Sequence, residues 1–162
     1  MPVNGKQKGG GFERDICKAL SLWVSHGKNV DLFWRSAMSG GRATVAKGTV
    51  RQAGDITAVA LEGHILTDQF YVECKFLKNI SLDSLLKLNG PLFEIWAKTV
   101  LEAAKYNRIP TLIFKQNHYP TVFCTTPAGA ELLQLSLPRS IRFMNMNIMR
   151  FDDVILHKFP LK

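Results

Sequence analysis

Residues 70–76, with the sequence FYVECKF, constrain the fold more than any other stretch of the chain. Their aromatic and β-branched residues predict a strand, and side chains alternate between the two faces of a strand. Tyr71, Glu73 and Lys75 therefore share one face, while the opposite face is wholly apolar. Two opposite charges on a covered face are costly unless they pair or bind a ligand. The stretch is thus either a sheet-surface strand with a solvated Glu–Lys pair or part of a functional site.

The surrounding pattern predicts a single mixed α/β domain with a central sheet. Apolar residues from Phe12 to Trp23 recur at helical spacing, and Gly27 closes that helix. Further helical starts are expected at Ser81, at Pro91, after the cap Thr126, and at Asp152 or Asp153. Strands are expected over residues 30–36, 55–63, 68–76, 110–117, 121–126 and 141–151. The predicted order is αβββαββαβα over a domain of residues 12–162, preceded by a mobile, basic, glycine-rich arm over residues 1–11.

The charge of the chain suggests a polyanionic partner. The formal net charge is +8, and residues 1–51 hold nine lysines and arginines against three acids. Such clustering favours phosphate binding, although a merely soluble basic protein remains the simpler interpretation. No apolar run approaches the roughly 18 residues that a membrane span needs, and nothing resembles a signal peptide. We therefore expect an intracellular protein without a membrane partner.

The cysteines argue against a disulfide framework and against a zinc site. Cys17, Cys74 and Cys124 are an odd set, and they lack the paired spacing of zinc ligands. All three lie in apolar sequence, so we expect buried, reduced thiols.

A second acid can join the pair on the 70–76 strand. Asp55, preceded by Gly54, opens the strand before it, so antiparallel neighbours would bring Asp55, Glu73 and Lys75 to one patch. Two converging carboxylates suit a hard divalent cation, and the Cys74 carbonyl offers one more oxygen ligand. A lysine beside such a metal can orient or activate water and offset charge on a phosphate. The alternative is a surface ion-pair network.

Here the sequence resembles a known superfamily. GD at 54–55 followed by VECK at 72–75 resembles the PD-(D/E)xK nucleases, with Gly54 where that signature has proline. GGGFERDICKAL at 9–20 is similar to the first-helix motif of the archaeal-type Holliday junction resolvases, in which Glu13 matches a metal-linked glutamate. WRSAMSGG at 34–41 is similar to the segment after the first strand in that branch. The resemblance covers roughly residues 8–116 and leaves the last third of the chain unmatched.

The resemblance implies a restriction-endonuclease-like fold and a Mg²⁺-dependent DNA endonuclease, with Mn²⁺ able to substitute. Asp55 and Glu73 would hold the metal with Glu13 and the Cys74 carbonyl, and Lys75 would position or activate water. It further implies a homodimer that resolves four-way or other branched DNA. It is also consistent with a virus-encoded protein that associates with nucleoid or viral DNA. Two alternatives stay open: a restriction- or repair-type nuclease acting on duplex or flap DNA, and a non-catalytic basic nucleic-acid-binding protein.

Basic and hydroxyl side chains near the expected site are candidate DNA contacts. Guanidinium and hydroxyl groups bind phosphate well, although solvated loop residues are the simpler alternative. The candidates are Arg14, Arg35, Ser36, Ser39, Arg42, Lys47, Arg51 and Lys115. For Lys115, protection of an exposed sheet edge is the favoured explanation. For Trp34 and Tyr71, core packing is favoured over stacking on bases.

Overall fold

The computed structural model describes residues 5–36, 53–78, 80, 87–136 and 138–160. Its helices are α1 (Gly5–Val24), α2 (His64–Thr67), α3 (Pro91–Lys105), α4 (Pro127–Leu132) and α5 (Phe151–Leu156), with a 3-10 turn at Leu61–Gly63. Its strands are β1 (Phe33–Arg35), β2 (Ile56–Ala58), β3 (Phe70–Leu77), β4 (Ile109–Gln116), β5 (Val122–Thr125), β6 (Ile141–Phe143) and β7 (Met146–Arg150). The predicted fold class, a mixed central sheet flanked by helices, is confirmed.

The central sheet has five strands in the order β3-β4-β5-β7-β6. β3 and β4 are parallel, and the remaining pairs are antiparallel. Alternation along β3 and β4 gives the sheet two apolar faces, each covered by a helix. On one face, residues of α1 such as Ile16 pack with Val72 and Ile113. On the other, Trp96 of α3 packs with Leu112. β3 therefore lies at one edge of the sheet, between two helical layers.

The first helix is longer than its apolar spacing predicts. Its predicted stripe is buried, and Gly27, at φ 83°, donates its N–H to the Leu22 carbonyl at 2.7 Å and ends the helix. The helix begins at Gly5, however, so residues 5–11 are helical where we predicted an irregular arm. Glycine has a low helix propensity, but tertiary contact overrides it here. A Cβ at Gly10 would lie 3.0 Å from Nη1 of Arg35, so this position packs closely against β1. Residues 1–4 lie outside the described residues.

Several element boundaries differ from the prediction, although most of the helix starts hold. α3 begins at Pro91, and the Thr126 side chain caps α4 by accepting from the Gly129 N–H at 3.1 Å. The strand after Asp55 ends at Ala58, and residues 61–67 turn helically instead. The expected last strand is a hairpin, β6–β7, because Met144 adopts φ 51° in the turn between them. The start predicted at Ser81 lies outside the described residues.

The three cysteines are free and buried, as predicted. Burial raises the pKa of the Cys17 thiol to about 12, and burial also raises the pKa of the Cys74 and Cys124 thiols. Over the part of the chain that the structure describes, no helix combines the length and apolarity needed to span a bilayer.

Candidate active site

Asp55 is fixed at the free edge of β3 by three hydrogen bonds. Its N–H donates to the Val72 carbonyl at 2.8 Å, and its Oδ2 accepts from the Cys74 N–H at 2.9 Å. The Ser36 N–H donates to its carbonyl at 2.8 Å, which ties it to the end of β1. Only 7% of Asp55 is exposed. A buried carboxylate that accepts from a strand N–H, on a residue whose own backbone is bonded on both sides, keeps one position without help from solvent.

The expected pairing of the Asp55 strand with β3 is wrong in detail, although the juxtaposition it predicted is present. β2 pairs antiparallel with β1 in a separate two-stranded sheet. Asp55, just before β2, reaches β3 through its own backbone and side chain. The reason is Gly54, which turns the chain at φ 91° and passes so close to β3 that a Cβ would lie 2.6 Å from the Val72 oxygen.

The strand geometry also places the Cys74 carbonyl. In a β-strand, the N–H and C=O of one residue point to the same side. The Cys74 N–H points to Asp55, so the Cys74 carbonyl points to that side as well, away from β4. This is the orientation that a backbone ligand beside Asp55 requires.

Lys75 connects the two acids. Its Nζ lies 2.5 Å from Oε1 of Glu73 and 3.5 Å from Oδ2 of Asp55. The pair is therefore not a solvated surface pair, because the side chains of Glu73 and Asp55 are only 15% and 10% exposed. Although burial lowers the pKa of Lys75, the charges of Asp55 and Glu73 outweigh it and raise that pKa above its usual value. The lysine is thus an ammonium ion in this arrangement.

Glu73 is held in an environment that disfavours its negative charge. Burial raises its pKa, and the charge of Asp55 raises it further, while Lys75 and Lys98 oppose the shift. The Tyr71 hydroxyl donates to Oε2 of Glu73 at 3.4 Å, and its ring stacks on Tyr106 with centroids 6.2 Å apart. The expectation that Tyr71 packs in the core is confirmed, since it is 8% exposed. Two acids that repel each other without leaving the site are suited to sharing a cation.

Glu13 reaches the same region from α1. Its Oε2 lies 2.9 Å from Nε of Arg35 in an ion pair, and that oxygen is buried without a hydrogen-bond donor of good geometry. Burial raises the pKa of Glu13, the Asp55 charge raises it further, and Arg35 lowers it. The influence of Asp55 places the two carboxylates within electrostatic range. A half-buried carboxylate that is paired with a single arginine can also coordinate a cation or a phosphate-bound water.

The residues present fit a Mg²⁺ ion held by few protein ligands. Within residues 5–36, 53–78 and the other described ranges, no three His, Cys, Asp or Glu side chains gather closely enough to hold a metal by themselves. Mg²⁺, however, is usually bound by one or two carboxylates, with water and substrate phosphate completing its shell. Asp55 and Glu73 already surround one cationic group, the Lys75 ammonium.

The predicted DNA contacts divide into four groups. Arg14 and Arg35 are exposed near the site. Ser36 is 4% exposed, and its hydroxyl lies 2.6 Å from the Thr57 hydroxyl, so it supports β1 and β2 from inside. Lys115 is half-buried on β4, which lies between β3 and β5, so its expected role at a sheet edge is wrong. The remaining candidates, Ser39, Arg42, Lys47 and Arg51, lie outside the described residues.

One residue near the site was not predicted at all, and the expectation for another was wrong. Lys98 of α3 acts on Glu73 electrostatically, and its spacing from the apolar residues of that helix gave no sign of this. Trp34 is 62% exposed, which contradicts the expectation that it packs in the core. Strand alternation could have predicted this exposure, because neighbouring residues of a strand face opposite sides. Phe33 is fully buried, so Trp34 faces the other way.

A mixed sheet between two helical layers, with an Asp and a Glu-x-Lys meeting at its edge strand, is compatible with the restriction-endonuclease-like class of nuclease domains. A family model described as "Phage putative PDDEXK endonuclease" matches residues 4–153. The chain belongs to this family of phage PDDEXK endonucleases. No curated protein and no solved structure matches it.

Proposed function

We propose that this protein is a Mg²⁺-dependent DNA endonuclease that cuts phosphodiester bonds at four-way or otherwise branched junctions. Family membership supports the nuclease activity. The observation that carries the assignment of the site is the contact of one lysine, Lys75, with both Asp55 and Glu73 at the edge of β3. Neither acid is placed there for stability alone, because their mutual repulsion and burial oppose ionisation of Glu73.

In this proposal Asp55, Glu73 and the Cys74 carbonyl hold the metal, and Glu13 assists from α1. Bound Mg²⁺, or Mn²⁺ in its place, supplies positive charge to the scissile phosphate and favours attack by water. The fixed backbone bonds of Asp55 give the site one rigid ligand, whereas Glu13 forms its ion pair with Arg35 among the described residues. A phosphate that attracts Arg35 would release Glu13 toward the centre of the site.

Lys75 acts as a hydrogen-bond donor and a positive charge. With no metal bound, the two neighbouring carboxylates hold the pKa of Lys75 above its usual value, so its side chain is protonated before the site is loaded. As an ammonium ion it orients the attacking water and offsets the charge that develops on the phosphate oxygens. Its side chain is 37% exposed, so both water and phosphate can approach it.

The branched substrate and the dimer rest on the resemblance of residues 9–20 and 34–41 to the Holliday junction resolvases. A four-way junction needs two symmetric cuts, and a pair of identical active sites supplies them most simply. The excess of positive charge in residues 1–51 supports a large phosphate contact area.

A direct cleavage assay tests the proposal. The protein is incubated with a synthetic four-way junction and with a linear duplex of the same sequence, with Mg²⁺ or with EDTA, and Asp55→Asn serves as the inactive control. We expect paired cuts near the branch point that require Mg²⁺ and Asp55. Equal cutting of the linear duplex would contradict the resolvase assignment and favour a restriction- or repair-type nuclease. Junction binding without cutting in any metal would favour a non-catalytic binding protein.

A further inference from the structure

A surface groove of about 280 Å³ lies beside the candidate active site, between α1 and the segment that leads into β1. We name it the Trp34 groove after the residues that define it: Arg14, Lys18, Val30, Phe33, Trp34 and Arg35. It has an apolar floor, three cationic side chains and one acid, Asp31. This combination suits a ligand with a flat apolar part and a negative charge.

Trp34 is the feature of the groove that packing does not explain. It is 62% exposed, whereas Trp23 and Trp96 are 5% and 4% exposed. Among the described residues, Trp34 takes part in none of the aromatic pairs, which join Phe12 to Phe76, Trp23 to Phe159 and Tyr71 to Tyr106. An exposed, unstacked indole beside cations is a typical stacking platform for a nucleobase.

The groove is continuous with the candidate site through Arg35. Arg35 lines the groove and lies 2.9 Å from Glu13, whose carboxylate is within electrostatic range of Asp55. A nucleotide in the groove would therefore belong to the strand that passes the site. Arg14 and Lys18 are one helical turn apart on α1, and both are exposed, so they can contact successive phosphates.

We propose that the Trp34 groove binds an unpaired nucleotide of the DNA substrate, with the base stacked on Trp34 and the backbone held by Arg14 and Lys18. This inference rests on the proposed function and adds a requirement to it, namely DNA in which a base is free to leave its stack. A base inside a regular duplex cannot bind in this way, because its neighbours cover both of its faces. The groove volume lies at the small end of the range for ligand sites and fits about one nucleotide.

The test measures binding without cleavage, in EDTA, so that it does not depend on catalysis. The probes are a duplex with a bulge of unpaired thymidines and the same duplex fully paired. We expect Trp34→Ala to weaken binding of the bulged duplex by about 5- to 150-fold, the equivalent of one lost base stack. Binding of the paired duplex is expected to change by less than about twofold, and Trp34→Phe is expected to keep most of the affinity for the bulge.

Two further measurements identify what occupies the groove. Trp34 is the exposed tryptophan, so the bulged duplex is expected to quench the intrinsic fluorescence of the wild-type protein but not of Trp34→Phe. Lys18→Ala is expected to weaken binding of the bulge, whereas Arg142→Ala, on the opposite edge strand β6, should leave it unchanged.

Equal losses for bulged and paired DNA in Trp34→Ala would overturn the inference. So would a concentration-dependent dimer that dissociates on the Trp34→Ala change, since the groove would then hold a second copy of the chain. The proposed function is tested by a different measurement, the cleavage assay, and it fails if no Mg²⁺-dependent cutting is observed. A protein that cuts but is insensitive to Trp34→Ala refutes the inference alone, and one that shows the stacking signature without cutting refutes the function alone.

Discussion

Lys75 lies between two acids, Asp55 and Glu73, on the largely buried strand β3. Its chemistry follows from that arrangement. An ammonium ion between Glu73 and Asp55 offsets part of the negative charge of both acids before ligands bind. When the phosphate of the DNA substrate binds, the Lys75 ammonium group can contact it by a side-chain rotation, because the side chain is partly exposed. The positive charge of Lys75 thus stabilises the two buried acids in the folded protein and, in the proposed reaction, offsets charge on the phosphate.

The substitution Lys75→Ala is therefore expected to reduce cleavage by at least about 100-fold while leaving junction binding nearly unchanged, because it removes a contact made chiefly in the transition state. Single-turnover cleavage with Mg²⁺ and binding in EDTA separate the two effects. Lys105→Ala, an exposed lysine of α3, is the matched control. Undiminished turnover in Lys75→Ala would exclude a catalytic role for this residue.

Glu73 gives a prediction about stability and pH. Burial, and then Asp55, raise its folded-state pKa above the usual 4.5. A raised carboxyl pKa stabilises the fold at low pH, and this stability is lost as the pH rises through the folded-state pKa. Glu73→Gln cannot ionise, so in EDTA at neutral pH it is expected to unfold at a higher temperature than the wild-type protein. For a protein of this size, a gain of 1 kcal/mol in the free energy of unfolding raises Tm by roughly 2–4 °C.

Thermal unfolding of the wild-type protein and of Glu73→Gln across a pH series tests whether the variant is the more stable of the two. The advantage of Glu73→Gln is expected to shrink as the pH falls through the raised folded-state pKa of Glu73, because the wild-type carboxyl then takes up its proton. A variant that is less stable than the wild-type protein at neutral pH would mean that the Glu73–Lys75 contact outweighs burial.

At the scale of elements, the approach of Gly54 to β3 decides where Asp55 lies. Gly54→Ala would add a Cβ 2.6 Å from the Val72 oxygen at a residue with φ 91°. We expect a loss of about 1–3 kcal/mol in the free energy of unfolding from strain, and a loss of cleavage because Asp55 moves. Gly27→Ala is the matched control, since Gly27 has φ 83° but no atom within 4 Å of the added Cβ. It should destabilise the protein without affecting cleavage, as measured by denaturant unfolding and the junction assay.

Local chemistry made some elements predictable and left others open. Pro91 and Thr126 start helices through their own backbone and side-chain properties, so the sequence alone located α3 and α4. The alternation in β3 likewise placed Glu73 and Lys75 on one face. The partner of β2 depended on a contact with β1, distant in sequence, and the close approach of Gly10 to Arg35 likewise joins residues that are far apart in the chain. Such contacts are properties of the assembled fold, and neither spacing nor composition encodes them.

At the scale of the whole molecule, one end of the central sheet combines the candidate chemistry with the basic surface. β3 is the edge strand that carries Glu73 and Lys75, and β6 is the edge strand at the other end. α1 brings Glu13 and the exposed Arg14 to the β3 side. Among the described residues, Arg14, Lys18 and Arg35 bring basic charge to the part of the fold that holds the site.

This asymmetry predicts how salt affects binding. Each phosphate contact contributes roughly 0.9 to the slope of log affinity against log salt concentration. Changing Arg35 and Arg42 to alanine together is expected to lower that slope by up to about two such contacts. It should also weaken junction binding more than duplex binding, because a junction presents phosphates on both sides of the segment that joins these residues. Arg42 lies outside the described residues, so its part in this prediction rests on the sequence.

The matched control removes two arginines from the opposite end of the sheet. Arg139 and Arg142, beside and within β6, are exposed and carry the same total charge. If binding depended only on net charge, both double variants would lower the slope equally. If the β3 end binds DNA, only the Arg35 and Arg42 variant lowers the slope, and the difference persists near physiological salt. Salt titrations of junction and duplex with both variants decide between these outcomes, and an equal loss of slope in both variants would contradict DNA binding at the β3 end.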